Sequence, residues 1–172
     1  ASMAHPHSQI IALPVADPDL NRSLSGSRMF FETHQKCVHC TMIEWDLEER
    51  QRIVFENDKF VALCPFASRV AFELRIYPKK HLAYFERMLD KDTRLLAEAL
   101  RVSLGKIYKG LKDPAYNFFI HTAPCDKKAH DHYHWHLEIL PKTSTWAGFE
   151  LGAGMEISTI EPEKAAEFLR KQ

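Results

Sequence analysis

His134-Trp135-His136-Leu137-Glu138-Ile139-Leu140-Pro141 has a counterpart at the other end of the chain, His5-Pro6-His7-Ser8-Gln9-Ile10-Ile11-Ala12-Leu13-Pro14. Both run His-x-His, then apolar residues, then Pro. In a strand, residues two apart share a face, so each pair presents two imidazoles side by side. A duplicated fold carries such a strand once per copy. On this reading residues 1–16 are the terminal strand of an otherwise absent first domain, and residues 17–172 form the second domain. Chance similarity of two His-rich strands is the alternative, since short motif matches carry false positives.

Working outward, residues 7–14 read as a short buried strand ended by Pro14. Asp17-Pro18-Asp19 starts a weakly amphipathic helix to about His34. A short charged helix follows Cys40 and runs to about Arg50. Ile53 to Glu56 and Phe60 to Leu63, joined at Asn57-Asp58, read as a hairpin. Val70, Phe72, Leu74 and Ile76 alternate with polar or small residues as a half-buried strand stopped by Pro78. Asp90 or Asp92 caps a long helix to about Lys112, with Leu96, Leu100, Leu104, Ile107, Tyr108 and Leu111 as its apolar stripe. Residues 116–122 and 133–140 are two further strands. Residues 146–157, with Gly148, Gly152 and Gly154, read as a loop. Glu161-Pro162-Glu163 opens a last helix. Hairpins and meanders mixed with two or three helices predict an α+β fold with an antiparallel sheet.

Composition narrows the function. In 172 residues, 23 Lys plus Arg balance 23 Asp plus Glu. That balance excludes a binder working by phosphate neutralisation and a polybasic membrane-surface module, so neither nucleic acid nor membrane is an expected partner. No apolar run approaches the roughly 20 residues of a membrane helix. No secretory signal is visible, and four Cys without one do not suggest a disulfide framework, so the expected compartment is the cytoplasm. The ten His are the outlier.

Cys37-x-x-Cys40 is the clearest ligand pair. Two thiolates three residues apart can bind one tetrahedral zinc through a tight turn. His81, after the strand end Tyr77-Pro-Lys-Lys, and His134, in the last strand, would complete a structural Cys2His2 site. A redox pair would want a helix N-terminus inside a βαβ unit, which is not seen. His34 and His39, flanking the knuckle, read as solvated surface residues. Cys64 reads as a small core residue. His121, His134 and His136 form a second cluster that could bind a metal or line a pocket, and His130 and His132 add donors in a flexible stretch.

His5-Pro6-His7-Ser8-Gln9 is the segment suited to covalent chemistry. A neutral imidazole nitrogen attacks activated phosphorus readily and leaves again readily, which suits relay of a nucleotidyl group. Pro6 fixes the backbone between the imidazoles. One imidazole can be held by metal or sheet while the other faces substrate. The Gln9 amide lies on the same face and can donate to a phosphoryl oxygen, and Ser2 could do likewise.

Taken together, Ser2-x-x-His5-Pro6-His7-x-Gln9, Cys37-x-x-Cys40, Phe72-Glu73-x-x-x-x-Pro78-Lys79-x-His81, His121-Thr-Ala-Pro124, His134-Trp-His136 and Ala147-Gly148-Phe149-Glu150 resemble the C-terminal half of the galactose-1-phosphate uridylyltransferase family. That family belongs to the histidine-triad superfamily and is built from two fused copies of one α+β fold. The resemblance implies a histidine-triad-like antiparallel sheet with flanking helices. It implies ping-pong exchange of UMP between a UDP-sugar and a hexose 1-phosphate, with His7 as the nucleophile. Ser2 and Gln9 would contact phosphate, and His5 would be a zinc ligand whose partners belong to the missing first half. Cys37, Cys40, His81 and His134 would hold the second-half zinc. Ala147, Phe149 and Glu150 would contact the hexose. Homodimers whose sites use both subunits are also implied.

The chain departs from the family in two places. Some relatives place a metal-ligating Glu shortly after the Leu-Pro strand end, where this chain has Asp17 to Arg22 without Glu. Position 149 is Phe where some members have Tyr. An adenylyl-transferring relative, ADP-glucose phosphorylase, shares the motifs, as would a catalytically incomplete zinc-binding nucleotide or sugar-phosphate module.

Overall fold

The computed structural model describes residues 11, 15, 17–145 and 147–172. The segment that carries Ser2, His5, His7 and Gln9 lies outside the described residues, as does Trp146. Ile11 is exposed, and the rest of the strand expected at 7–14 lies outside them too.

Helix α1 (Pro18–His34) begins where Asp17 accepts hydrogen bonds from the Asp19 and Leu20 amides at 2.8 and 3.1 Å, with Pro18 in the first turn. Gln35 ends it in a left-handed conformation. Two residues later Cys37 caps α2 (Val38–Glu49). Strands β1 (Ile53–Glu56) and β2 (Phe60–Leu63) form the expected hairpin. Its turn is tied by Asn57 Oδ1, which accepts from the amides of Lys59 and Phe60 at 3.1 and 2.9 Å. Then come β3 (Leu74–Pro78), α3 (Thr93–Leu111), β4 (Tyr116–His121), β5 (His136–Pro141), α4 (Gly148–Ala153) and α5 (Pro162–Arg170).

The five strands form one antiparallel sheet in the order β1-β2-β3-β5-β4. Alternation sorts β2 into two buried faces. Phe60 and Ala62 join Leu74, Ile76, Leu137 and Ile139 under α3 and α5, which contribute Leu96, Ala99, Ile107, Ala165, Ala166 and Leu169. Val61 and Leu63 face the other way, with Tyr77, against Ile43 of α2. A third cluster, Leu24, Ala83, Tyr84, Ala123 and Tyr133, seats α1. Among the described residues no helix is long and apolar enough to cross a membrane.

Four sequence expectations shift. The strand expected from Val70 starts at Leu74, because the Glu73 carboxylate accepts the Arg69 amide at 2.5 Å and the Glu73 amide bonds to Val70 O, closing a turn. Phe72 there takes φ +62°, a rare conformation for a bulky residue, with its ring 5.5 Å from that of Phe168. Strand β5 starts at His136 rather than Tyr133, since the Trp135 amide bonds to Leu82 O instead of to the sheet. Tyr108 of the α3 stripe is exposed, and Ala99 and Ser103 take the buried positions. The 146–157 loop contains α4, whose start is tied by the Ala147 amide donating to the Glu150 carboxylate at 3.3 Å. Gly154, left-handed at φ +64°, ends it.

Candidate functional site

The helix N-terminus and the sheet bring two thiols and two imidazoles together. Cys37 sits at the cap of α2 and Cys40 one turn in, so both point from one end of the helix. His81 follows β3, and His134 precedes β5, the neighbouring strand. Cys40 Sγ lies 3.4 Å from His81 Nδ1 and 3.4 Å from His134 Nδ1. All four ligand atoms fall within 4.8 Å of one another. A tetrahedral zinc with ordinary bond lengths separates its S and N ligands by about 3.6 Å, so the spacing fits.

The outer nitrogens settle the tautomers. His81 Nε2 lies 2.7 Å from Asp131 O, and His134 Nε2 lies 2.9 Å from Pro78 O. A carbonyl only accepts, so each Nε2 carries the proton and each Nδ1 turns a lone pair toward the thiols. The thiols are poised as well. The Cys40 thiol, opposed by burial and helped by His134 and His81, holds the Cys37 pKa far below the usual thiol range. The hydrogen bond Cys40 shares with Cys37, then burial, raises the Cys40 pKa. A bound dication would draw out both thiolates. The residues therefore fit a tetrahedral metal ion, and the four ligands expected from sequence are brought together.

A second cluster sits on the α2-facing side of β4 and β5. His121 and His136 stack with ring centres 5.1 Å apart. Their Nε2 atoms lie 3.6 and 3.5 Å from the Glu138 carboxylate. Arg75 of β3 reaches Glu138 at 2.9 Å and Glu73 at 2.8 Å. Burial works against ionisation of Glu138, but the facing imidazoles of His121 and His136 and the charge of Arg75 outweigh it, holding its pKa well below the carboxylate range. These groups line a polar cavity of about 390 Å³ with Asp19, Ser23, Arg69 and Glu156. His134 does not belong to this cluster, because its Nδ1 faces Cys40. Glu138 does belong to it, and its period-two spacing from His136 was the available signal.

Arg75 holds two buried carboxylates, so Arg75→Ala should cost about 3–5 kcal/mol at neutral pH. The sign with pH follows from Glu138. Its depressed folded pKa gives a contribution present above the unfolded value, near 4.3, and lost as pH falls toward the folded value. Arg75 supplies part of that contribution, which Arg75→Ala removes. The stability gap between variant and wild type should therefore narrow as pH falls below about 4, as read by urea unfolding at pH 7 and about pH 2.5.

Other expected positions lie elsewhere. Ala147 and Phe149 are exposed, Glu150 caps its own helix, and none of the three lines the cavity. His39 is not on the surface. It is buried against Tyr77, Tyr133 and His136, with neither nitrogen hydrogen-bonded among the described residues, and burial lowers its pKa to about 3. His130 and His132 are buried too, with His130 Nε2 2.9 Å from Asp126. Cys64 is a core residue as expected, and Cys125 is exposed.

An antiparallel five-stranded sheet with helices on its faces and paired His-x-His residues at the start of β5 defines a histidine-triad-like fold. A zinc-bound histidine-triad protein from Mycobacterium smegmatis shows the same fold, with TM-score 0.57 and 16% identity over 80% of this chain and 92% of its own. No family model matches the chain. The sequence is 37% identical to an ADP-glucose phosphorylase of Arabidopsis thaliana over 99% of this chain and 48% of that protein. It is 32% identical to a galactose-1-phosphate uridylyltransferase of Thermotoga maritima over 99% of this chain and 56% of that protein. A crystal structure of an ADP-glucose phosphorylase from Arabidopsis thaliana with bound ADP-glucose matches with TM-score 0.84 and 34% identity, over 93% of this chain and 51% of that one. The chain is a relative of the galactose-1-phosphate uridylyltransferase family, and it spans about half the length of the curated relatives it matches.

Proposed function

We propose that the chain is part of a nucleotidyltransferase that moves UMP from a UDP-sugar to a hexose 1-phosphate through a covalent histidine. The observation that carries this is the match along 99% of the chain to a uridylyltransferase and to an ADP-glucose phosphorylase. His7 attacks the phosphorus bonded to the nucleoside, an N–P bond forms, and the bond to the bridging oxygen breaks, releasing sugar 1-phosphate. A phosphate oxygen of the incoming hexose 1-phosphate then attacks the same phosphorus and frees the imidazole. Ser2 and Gln9 donate to the non-bridging oxygens as charge builds. Ala147, Phe149 and Glu150 contact the hexose, with the Glu150 carboxylate as the partner of its hydroxyls, and His121 and His136 form a pocket wall or a second metal site.

The metal ion at Cys37, Cys40, His81 and His134 is zinc, in a structural role. It ties the α1–α2 layer to the ends of β3 and β5. His5 is a zinc ligand of a first copy of the fold, with residues 1–16 as that copy's last strand. The protein works in the cytoplasm as a homodimer whose sites use both subunits. A second reading, adenylyl transfer, is favoured by the higher identity to ADP-glucose phosphorylase, 37% against 32%.

Exchange assays separate the two. Uridylyl transfer predicts UDP-galactose from UDP-glucose and galactose 1-phosphate. Adenylyl transfer predicts ADP from ADP-glucose and phosphate. Binding of either sugar nucleotide with no turnover would contradict both and leave a zinc-stabilised binding module.

A further inference from the structure

We infer that His130 and His132 form a further metal site, separate from Cys37, Cys40, His81 and His134, and that it takes the monovalent cation Cu(I). The site lies outside the transfer chemistry and is independent of it.

Both imidazoles are buried, with 4% and 8% exposure. Each spends one nitrogen on an oxygen. His130 Nε2 lies 2.9 Å from Asp126 Oδ1, and His132 bonds to the backbone carbonyl of Leu24 in α1. A carboxylate and a carbonyl accept, so those nitrogens carry the protons. The other nitrogen of each ring, His130 Nδ1 and His132 Nε2, keeps its lone pair, and among the described residues neither has a hydrogen-bond partner. A buried acceptor without a donor is costly, and a neutral imidazole with a free lone pair is a ready metal ligand.

The Cys2His2 cluster gives an internal standard. Its His81 and His134 also spend their outer nitrogens on backbone carbonyls. Their ring centres lie 5.3 Å apart with the planes at 83°. For His130 and His132 the values are 5.8 Å and 62°. A metal–nitrogen bond of about 2.0 Å puts each ring centre about 3.2 Å from the metal, so two imidazoles on one ion have centres about 5–6 Å apart. At 5.8 Å the angle at the metal is about 130°, wider than tetrahedral. Asp126 behind His130 is the kind of outer carboxylate that orients a metal-bound imidazole and raises its basicity.

Charge and donor type select the ion. His130 lines a cavity of about 820 Å³ whose charged groups are Arg28, Lys128 and Asp126. Two cations against one carboxylate oppose a dication more than a monovalent ion. Cu(I) accepts imidazole and thiolate, and two or three ligands satisfy it. Cys125 lines the same cavity and is exposed. Its thiol does not form a closed cluster with the two imidazoles as the zinc-type ligands do, so it is a third ligand that swings in from solvent.

The test is an anaerobic titration of the zinc-loaded 172-residue chain with Cu(I), in competition with bathocuproine disulfonate, while a chromogenic chelator reports any zinc set free. The wild type should take up one copper and keep its zinc. Asp126→Asn, which removes only the outer partner, should weaken copper binding about tenfold, and His130→Gln or His132→Gln by more. Circular dichroism and zinc content should stay at wild-type values. Should a histidine variant fail to fold, Asp126→Asn and Cys125→Ser, both at solvent-facing positions, decide the matter, each with weakened copper binding. X-ray absorption at the copper edge needs no variant and should show two imidazole nitrogens. No uptake, copper that enters only by displacing zinc, or copper held as tightly by His130→Gln as by the wild type would each overturn the inference. Zinc filling this second site in preference to copper would overturn the choice of ion.

Discussion

Cys37→Ser is expected to strip the chain of one bound zinc and to unfold the layer built by α1 and α2. Apart from the Cys37, Cys40, His81 and His134 cluster, this layer is tied to the sheet by two small apolar clusters and by the Asp46–Arg52 ion pair at 2.8 Å. α1 buries only Leu24 and Ser27, and α2 only His39, Ile43 and Asp46. The apolar clusters under them are small, while the main core lies on the opposite face. Structural zinc contributes an apparent ~10–16 kcal/mol in small metal-dependent domains. That matches or exceeds the whole stability of a typical domain, about 5–15 kcal/mol. Chelation should therefore lower the melting temperature sharply and open the amides of residues 18–49 to exchange before those of β1 to β3. Cys125→Ser is the control, since Cys125 is exposed and remote from the ligand set. A purified protein without zinc that keeps its melting temperature in chelator would refute the assignment.

His7→Ala should abolish nucleotidyl transfer, by roughly a millionfold in kcat where the nucleophile carries the whole covalent path. The melting temperature and the bound metal, measured on the same variant, separate loss of the nucleophile from loss of the fold. His136→Ala offers a contrast. Its imidazole is buried and engaged with Glu138 and His134 O, so its loss should register in stability rather than as the complete absence of a covalent adduct. If His136→Ala removed the adduct and His7→Ala spared it, the two His-x-His strands would have exchanged roles.

Much of the Cys2His2 cluster was legible because its residues announce themselves by spacing. A Cys-x-x-Cys at a helix start and two His at strand ends need only approximate topology to meet. Arg75 was not legible, because its partnership with Glu138 depends on β5 lying between β3 and β4. That order arises after α3 and β4 have intervened in sequence. His39 was misjudged for a local reason. It stands between two ligands on a helix with polar residues around it, and nothing in that pattern shows that its face is closed by Tyr77 and Tyr133. α4 was missed because Gly148, Gly152 and Gly154 read as loop signals. One glycine opens the helix, one costs it propensity, and the third supplies its left-handed end. The α3 and α5 amphipathic patterns were strong and translated into the main core with little change.

The most direct test of the account is a search for the covalent intermediate itself. The chain is incubated with UDP-glucose, and separately with ADP-glucose, in the absence of any acceptor, and its intact mass and peptide map are read without acid exposure. A nucleoside monophosphate on His7, lost on mild acid treatment and discharged by adding hexose 1-phosphate or phosphate, is the predicted result. No adduct with either donor, under conditions where the donor is bound, would contradict the claim that this imidazole carries the nucleotide.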